Sequence, residues 1–158
     1  MAIWKMSTNK KNGRAANEKF LLTTEVNKKE KSNKAKYLTK RINDLYDNIS
    51  DWIKDLKDYT MKRTTVTVDG EKLPALDILA AKKSIVTLKP TGLWAFGVTC
   101  QIEMVSEKEK NILVDIAKES KPAEWQLISF EAGKKPKKLS KVIFRNLLKR
   151  INQLRINN

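Results

Sequence analysis

The clearest pattern in the chain is a heptad-like spacing of apolar residues between positions 37 and 61. These residues recur at alternating intervals of four and three, which is typical of an amphipathic α-helix. The stripe consists of Leu38, Ile42, Leu45, Ile49, Trp52, Leu56 and Tyr59. Tyr46 and Ile53 widen it beyond the narrow seam of a coiled coil. We therefore favour a helix packed across a sheet, with Trp52 and Ile53 largely buried, over a helix paired with its own copy.

Short β-branched and alternating segments follow and predict an antiparallel sheet. They cover residues 63–68, 71–73, 83–89, 94–104, 111–117 and 124–130. Asp69-Gly70 is a hairpin-turn dipeptide, and Pro74 is expected to end the pairing of the second segment. Residues 76–81 are predicted to form a helical turn. Asn111 begins a strand on which Ile112, Val114 and Ile116 are expected to share one face.

The most regular alternation of apolar and polar residues runs from position 94 to position 104. One face of this strand is predicted to carry Trp94, Phe96, Val98, Cys100, Ile102 and Met104. A buried, unreactive thiol is the favoured interpretation of Cys100, since no histidine is present to activate it. Trp94 and Trp125 have the aromatic surface to stack on bases, but their apolar surroundings favour core packing. Trp4, in the basic N-terminal segment, is the freer candidate for stacking.

The last element is a helix over residues 139–156, with Ile143, Leu147, Leu148, Ile151 and Leu154 on its apolar side. Strands bounded by helices indicate an α+β fold. Connections too short for crossover helices indicate antiparallel pairing. We expect a meander sheet of about four to six strands, with a long N-terminal amphipathic helix and a C-terminal helix. Residues 37–158 would form the single α+β domain, and residues 1–36 a basic, mostly flexible segment.

Charge separates the ends of the chain from its middle. The whole chain has 33 Lys and Arg against 18 Asp and Glu, a net charge of +15. Residues 1–36 carry ten basic and three acidic residues, and residues 132–158 carry nine basic residues and no acidic one. The part between them is close to neutral. A neutral domain with basic ends is typical of proteins whose ends contact an anionic partner.

Composition excludes several classes of protein. No apolar run approaches the roughly 18 residues that span a bilayer, and the start of the chain lacks the apolar region of a secretory signal. The single cysteine excludes an internal disulfide framework and favours a cytoplasmic location. The absence of histidine removes His-based catalytic and metal sites. No glycine-rich phosphate loop is present, so neither a cofactor nor a resident metal is expected.

The C-terminal basic residues are the strongest functional signal. We expect a small non-enzymatic protein that binds DNA or RNA by contacting phosphates. The candidate residues are Lys134, Lys135, Lys137, Lys138, Lys141, Arg145, Lys149 and Arg150. A merely solubilising surface is the competing interpretation of such a charge run.

Two other functions remain open. One is a protein-interaction module, such as an immunity, antitoxin or accessory factor of a bacterial or phage-borne system, which would use an acidic partner surface or helix 37–61. The other is a metal-dependent nuclease using Asp115 and the Glu119-x-Lys121 triplet, joined by Asp77 and Glu103. A stripe of acidic residues on the helix is interpreted as a solvated outer face on which basic segments can rest; it comprises Asp44, Asp47, Asp51, Asp55 and Asp58.

The segments LKPTGLWAFGVTCQIEM, ILVDIA and EWQLI resemble part of a group of uncharacterised small bacterial proteins. The resemblance spans about residues 83–128 and rests on Lys89, Pro90, Gly92, Leu93, Trp94, Gly97, Ile102, Leu113, Val114, Asp115 and Trp125. The chain departs from that group at residues 98–101. The resemblance implies a bacterial origin and a shared sheet, and it implies no activity.

Overall fold

A computed structural model describes the backbone of residues 2–92, 98–129 and 133–157, and the side chains of these ranges from Lys28 onward. Contacts within the chain divide it into two compact units, Met1–Lys34 and Ala35–Asn158. The second unit holds the sheet, the C-terminal helix and the last part of the N-terminal helix. The predicted flexibility of residues 1–36 stays a prediction, and the structure has their backbone in helical conformation from Ala2.

The α+β fold is confirmed, with one more strand than the sequence predicts. The described elements are α1 (Ala2–Ile53), β1 (Tyr59–Val68), β2 (Glu71–Ala80), β3 (Lys83–Pro90), β4 (Cys100–Ser106), β5 (Lys110–Asp115), β6 (Trp125–Ser129), β7 (Lys137–Lys138) and α2 (Lys141–Ile156). The strands form one antiparallel sheet in sequence order. The additional strand is β7, whose two lysines the sequence places in a loop.

The second strand is longer than predicted. Pro74 does not end the pairing, because it lies opposite Thr65 in a continuous β1–β2 ladder. Residues 76–80 are extended rather than helical, since they pair with β1 on one side and with β3 on the other. Ala81 and Lys82 then form the hairpin turn at φ values of 52° and 68°. No glycine or asparagine marks this turn, and its signal is therefore missing from the sequence.

The last part of α1 packs on the sheet, as its broad apolar stripe predicts. Its buried apolar residues are Ala35, Leu38, Ile42, Leu45, Tyr46, Ile49 and Ile53, and they share one core with residues from β2 to β6 and from α2. Trp52 is half-buried and contacts the ring of Phe144, with the ring centroids 5.8 Å apart. The predicted end at residue 61 is wrong, because a turn follows Ile53 and Tyr59 already begins β1.

On β5, the residues that lie with the helices are Asn111, Leu113 and Asp115, so two polar residues occupy inward positions. Of the three apolar residues predicted to share one face, Val114 is buried, Ile112 is half-buried and Ile116 is exposed beyond the strand. On the neighbouring strands Cys100, Ile102, Met104 and Trp125 are buried as predicted, and the side chains of Trp4, Trp94 and Phe96 lie outside the described residues.

The closing helix begins after a local cap. The Ser140 hydroxyl accepts a hydrogen bond from the Ile143 N–H at 3.2 Å, which satisfies one of the free amides of the first turn. The buried side of α2 consists of Phe144, Leu147, Leu148 and Ile151. Leu154, predicted to lie on the apolar side of the helix, is 39% exposed. Phe144, which was not predicted to lie there, is fully buried.

Candidate nucleic-acid interface

The four lysines of the last loop and strand are all exposed. Lys134 and Lys135 lie in the loop before β7, and Lys137 and Lys138 are β7 itself. This strand pairs with β6 and is the last strand of the described sheet. Pairing with β6 fixes the backbone of Lys137 and Lys138 at one edge of the described sheet. Lys134 and Lys135 lie in the loop directly before this strand.

The α2 helix separates the remaining predicted residues into two groups. Lys141, Arg145 and Lys149 follow one another at intervals of four, so they share one flank of the helix. Arg150 lies on a different flank, together with Asn146 and Leu147, and faces a cavity. The predicted single basic surface is therefore divided along the helix.

The cavity lies where β5, β6, the loop before β7, and α2 meet. It has a volume of about 260 Å³ and is lined by Asn111, Leu127, Ser129, Lys134, Lys135, Lys137, Ile143, Asn146, Leu147 and Arg150. Lys137 lies opposite Leu127 in the strand register, whereas its neighbour Lys138 lies opposite Gln126 and does not line the cavity. Four of the eight predicted residues are thus brought together around one space.

Both candidate arginines have acidic partners, which reduces the charge they offer to a ligand. The Nη2 atom of Arg150 lies 2.9 and 3.0 Å from the two carboxylate oxygens of Glu109. Arg145 contacts Asp55 at 3.4 Å. A hydrogen bond from its own backbone amide is the main cause that lowers the pKa of the Asp55 carboxyl, and the nearby charges of Arg145 and Lys141 lower it further.

Two acidic residues of the predicted stripe pair with basic residues of other elements. Asp55, in the turn after α1, pairs with Arg145 of α2, and Asp47 of α1 accepts a hydrogen bond from Arg63 of β1 at 2.5 Å. These pairs are largely exposed, so each contributes little to stability. The stripe is an outer face that also orients neighbouring elements.

Asn111 is the cavity residue that sequence reasoning missed. Its side chain is 2% exposed, and its Nδ2 atom has no hydrogen-bond partner among the described residues. The Nε atom of Arg150 is likewise buried without a described partner. A polar residue at the start of an otherwise apolar strand was the available signal, and the sequence analysis named it only as the first residue of that strand.

Asp115, a candidate metal ligand of the nuclease alternative, is buried in an ion pair with Arg41. It is fully buried, and its Oδ2 accepts a hydrogen bond from the Arg41 Nε at 2.5 Å. Its Oδ1 accepts from the backbone amides of Ala117 and Glu124 at 3.1 and 3.0 Å. Both carboxylate oxygens are therefore engaged, which leaves this acid poorly placed to bind a metal.

The guanidinium of Arg41 extends this cluster to the loop after β5. Its Nη1 donates to the Tyr37 hydroxyl at 2.6 Å and to the Lys121 carbonyl at 2.9 Å. The Tyr37 hydroxyl donates in turn to the Glu119 carbonyl at 2.6 Å. Glu119 and Lys121 thus meet the helix through their backbone atoms. Within residues 28–92, 98–129 and 133–157, no three carboxylate or thiol side chains are grouped closely enough to hold a metal ion.

Comparison with known proteins identifies no relative. No protein-family model, curated protein or solved structure matches the chain. Among the described residues, neither helix contains a stretch that is apolar enough to cross a membrane.

Proposed function

We propose that the protein is a small non-enzymatic nucleic-acid-binding protein that contacts phosphates through its C-terminal basic residues. The observation that carries the proposal is the exposure of four lysines around Pro136, with Lys137 and Lys138 in the last described strand of the sheet and Lys134 and Lys135 in the loop before it. Exposed ammonium groups on a fixed strand and its loop suit a phosphate backbone, because they contact phosphates without reading bases. The proposal places the protein in the cytoplasm, where Cys100 stays reduced.

Electrostatics supports the same surface. Residues 132–158 contain nine basic residues and no acidic one. Two of the arginines are engaged by Asp55 and Glu109, so these two offer less charge to a ligand. About five phosphate contacts made by this segment would give a slope of log K against log salt near −4.5 on duplex DNA, since each neutralised phosphate contributes about −0.9.

The main alternative is a protein-interaction module that acts through helix 37–61. Little apolar surface of this helix is left for a partner. The apolar stripe of α1 within this range is covered by the protein's own sheet and α2. What remains outside is the acidic face, part of which contacts Arg63 and Arg145. The helix therefore offers a partner a polar surface only.

A salt titration tests the proposed function. Binding to mixed-sequence duplex DNA and single-stranded RNA is measured by fluorescence anisotropy at several salt concentrations. The quadruple variant with Lys134, Lys135, Lys137 and Lys138 changed to Gln is expected to weaken all sequences equally and to flatten the slope by up to about 3.6. A matched variant changes four exposed lysines elsewhere to Gln, namely Lys57, Lys72, Lys108 and Lys118.

The matched variant removes the same net charge, so it is expected to keep most of the slope. Equal loss in the two variants would mean that net charge alone drives the association. No binding to either nucleic acid at low salt would eliminate the proposed function.

A further inference from the structure

The cavity beside α2 has a composition that backbone binding does not require. Its basic lining residues are Lys134, Lys135, Lys137 and Arg150, and its apolar lining residues are Leu127, Ile143 and Leu147. Lysines that only contact a nucleic-acid backbone need to be exposed, but they need no pocket beside them. A space with charged donors and apolar side chains is the usual form of a site for a small ligand that has an anionic group and an apolar part.

Asn111 provides a second, independent observation at the same cavity. Buried polar side chains normally have a hydrogen-bond partner, and one that lacks a partner requires an explanation. The Asn111 amide nitrogen is buried without a described partner and belongs to a residue that lines the cavity. An acceptor atom of a bound ligand would satisfy this donor. The amide of Asn146 and the hydroxyl of Ser129 line the same space.

Charge selects the class of ligand. The described residues that line the cavity include three lysines and no carboxylate, while the charge of Arg150 is compensated by Glu109 beside the cavity. A phosphomonoester carries about −1.5 to −2 charges at pH 7 and has three strong acceptor oxygens. An internal phosphodiester of a nucleic acid carries only one charge. The concentration of donors therefore fits a phosphomonoester better than a backbone phosphate.

We propose that this cavity binds a phosphomonoester, either the terminal phosphate of a nucleic-acid strand or a free nucleoside monophosphate. The lysines and Asn111 hold the phosphate oxygens, and Leu127, Ile143 and Leu147 offer apolar surface to the attached sugar or base. The inference goes beyond the proposed function, because a free nucleotide would occupy the cavity even if the chain bound no nucleic-acid backbone.

Thermal unfolding of the full chain tests the site directly. Adenosine monophosphate and inorganic phosphate, each at concentrations on the order of 10 mM, are expected to raise Tm by mass action, whereas adenosine is not. A short oligonucleotide is then compared in three forms, with a 5′-phosphate, with a 3′-phosphate and with neither. A preference of about tenfold for one phosphorylated form identifies a strand end as the source, since a charge-assisted hydrogen bond is worth about that factor.

The possible results separate this proposal from the proposed function. Stabilisation by adenosine monophosphate with equal affinity for all three oligonucleotides supports the site and identifies a free nucleotide as its ligand. Stabilisation without any binding of oligonucleotides supports the site and removes the nucleic-acid function. No stabilisation by either phosphate compound, with equal affinity for the three oligonucleotides, overturns the site and leaves the nucleic-acid function standing.

Two pairs of variants locate the ligand. Lys137→Gln is expected to weaken phosphomonoester binding at least about tenfold, and Lys138→Gln, which removes the same charge outside the cavity, to weaken it much less. Asn111→Leu is expected to weaken binding while leaving Tm unchanged or higher, because it removes a buried donor that has no described partner. Equal losses in the two lysine variants, or an Asn111 variant that is less stable but binds normally, would overturn the proposal.

Discussion

The buried ion pair between Arg41 and Asp115 leads to the most quantitative stability prediction. The pair joins α1 to the end of β5, and the side chains are 8% and 0% exposed. Removing one partner of such a pair leaves the other charge buried and uncompensated, which typically costs 3–5 kcal/mol. Asp115→Asn keeps one oxygen for the amides of Ala117 and Glu124 but turns an amide donor toward Arg41. We expect it to lower the free energy of unfolding by about 3 kcal/mol.

Three further variants separate the contributions of the ion pair and of the hydrogen bonds to the free energy of unfolding. Asp115→Ala also frees the two backbone amides, so we expect a loss of about 5 kcal/mol when each lost hydrogen bond adds about 1 kcal/mol. Arg41→Met alone should cost about 3 kcal/mol, because the carboxylate then stays buried without its counter-charge. Combining Arg41→Met with Asp115→Asn should cost no more than either single change. The coupling energy of this double-mutant cycle is therefore about 3 kcal/mol.

Urea denaturation followed by circular dichroism measures these differences. With a slope of about 1.5 kcal/mol/M, a loss of 3 kcal/mol lowers the midpoint by about 2 M. Glu124→Gln is the matched control, since it neutralises an exposed carboxylate in the same loop and should change stability by less than about 0.5 kcal/mol. An Asp115→Asn variant within 1 kcal/mol of the wild type, or additive effects in the cycle, would refute this reasoning.

Three further predictions concern single positions. Tyr46→Phe should cost about 1 kcal/mol in a urea titration, because the buried hydroxyl donates to the Pro74 carbonyl at 3.0 Å. Ala81→Gly should raise stability by about 0.5–1 kcal/mol, since glycine adopts the positive φ of this turn without strain, and an unchanged midpoint would show the turn to be unstrained. The pKa of Asp55 is lowered in the folded state, so its stabilising effect should be present above the ordinary carboxyl pKa and lost as the pH falls through the lowered value. The difference in stability between wild type and Asp55→Asn should therefore shrink on acidification, and a constant difference would contradict the assignment.

The sequence predicts the elements whose apolar period is long and regular. The stripe on α1 places Leu38, Ile42 and Ile49 in the core, and its width predicts packing on a sheet, because a wide stripe needs a broad apolar surface. The Asp69-Gly70 dipeptide predicts its hairpin for a local reason, as both residues adopt positive φ. Such signals depend on neighbouring residues alone.

The features that were missed depend on residues far apart in the sequence. Asp115 faces inward because Arg41, 74 positions earlier, neutralises it. Its inward position also places Leu113 and Asn111 on the same side of β5, which the spacing of apolar residues on this strand does not predict.

Lysine footprinting by acetylation and mass spectrometry, with and without bound nucleic acid, tests the central claim most directly. It reports every lysine of the unmodified chain in one measurement. We expect Lys134, Lys135, Lys137 and Lys138 to become protected when DNA or RNA binds, while exposed lysines elsewhere, such as Lys57 in the turn before β1 and Lys72 in β2, react as before. Protection confined to the lysines of residues 1–36, or no protection at any lysine, would contradict the C-terminal segment as the phosphate-binding surface.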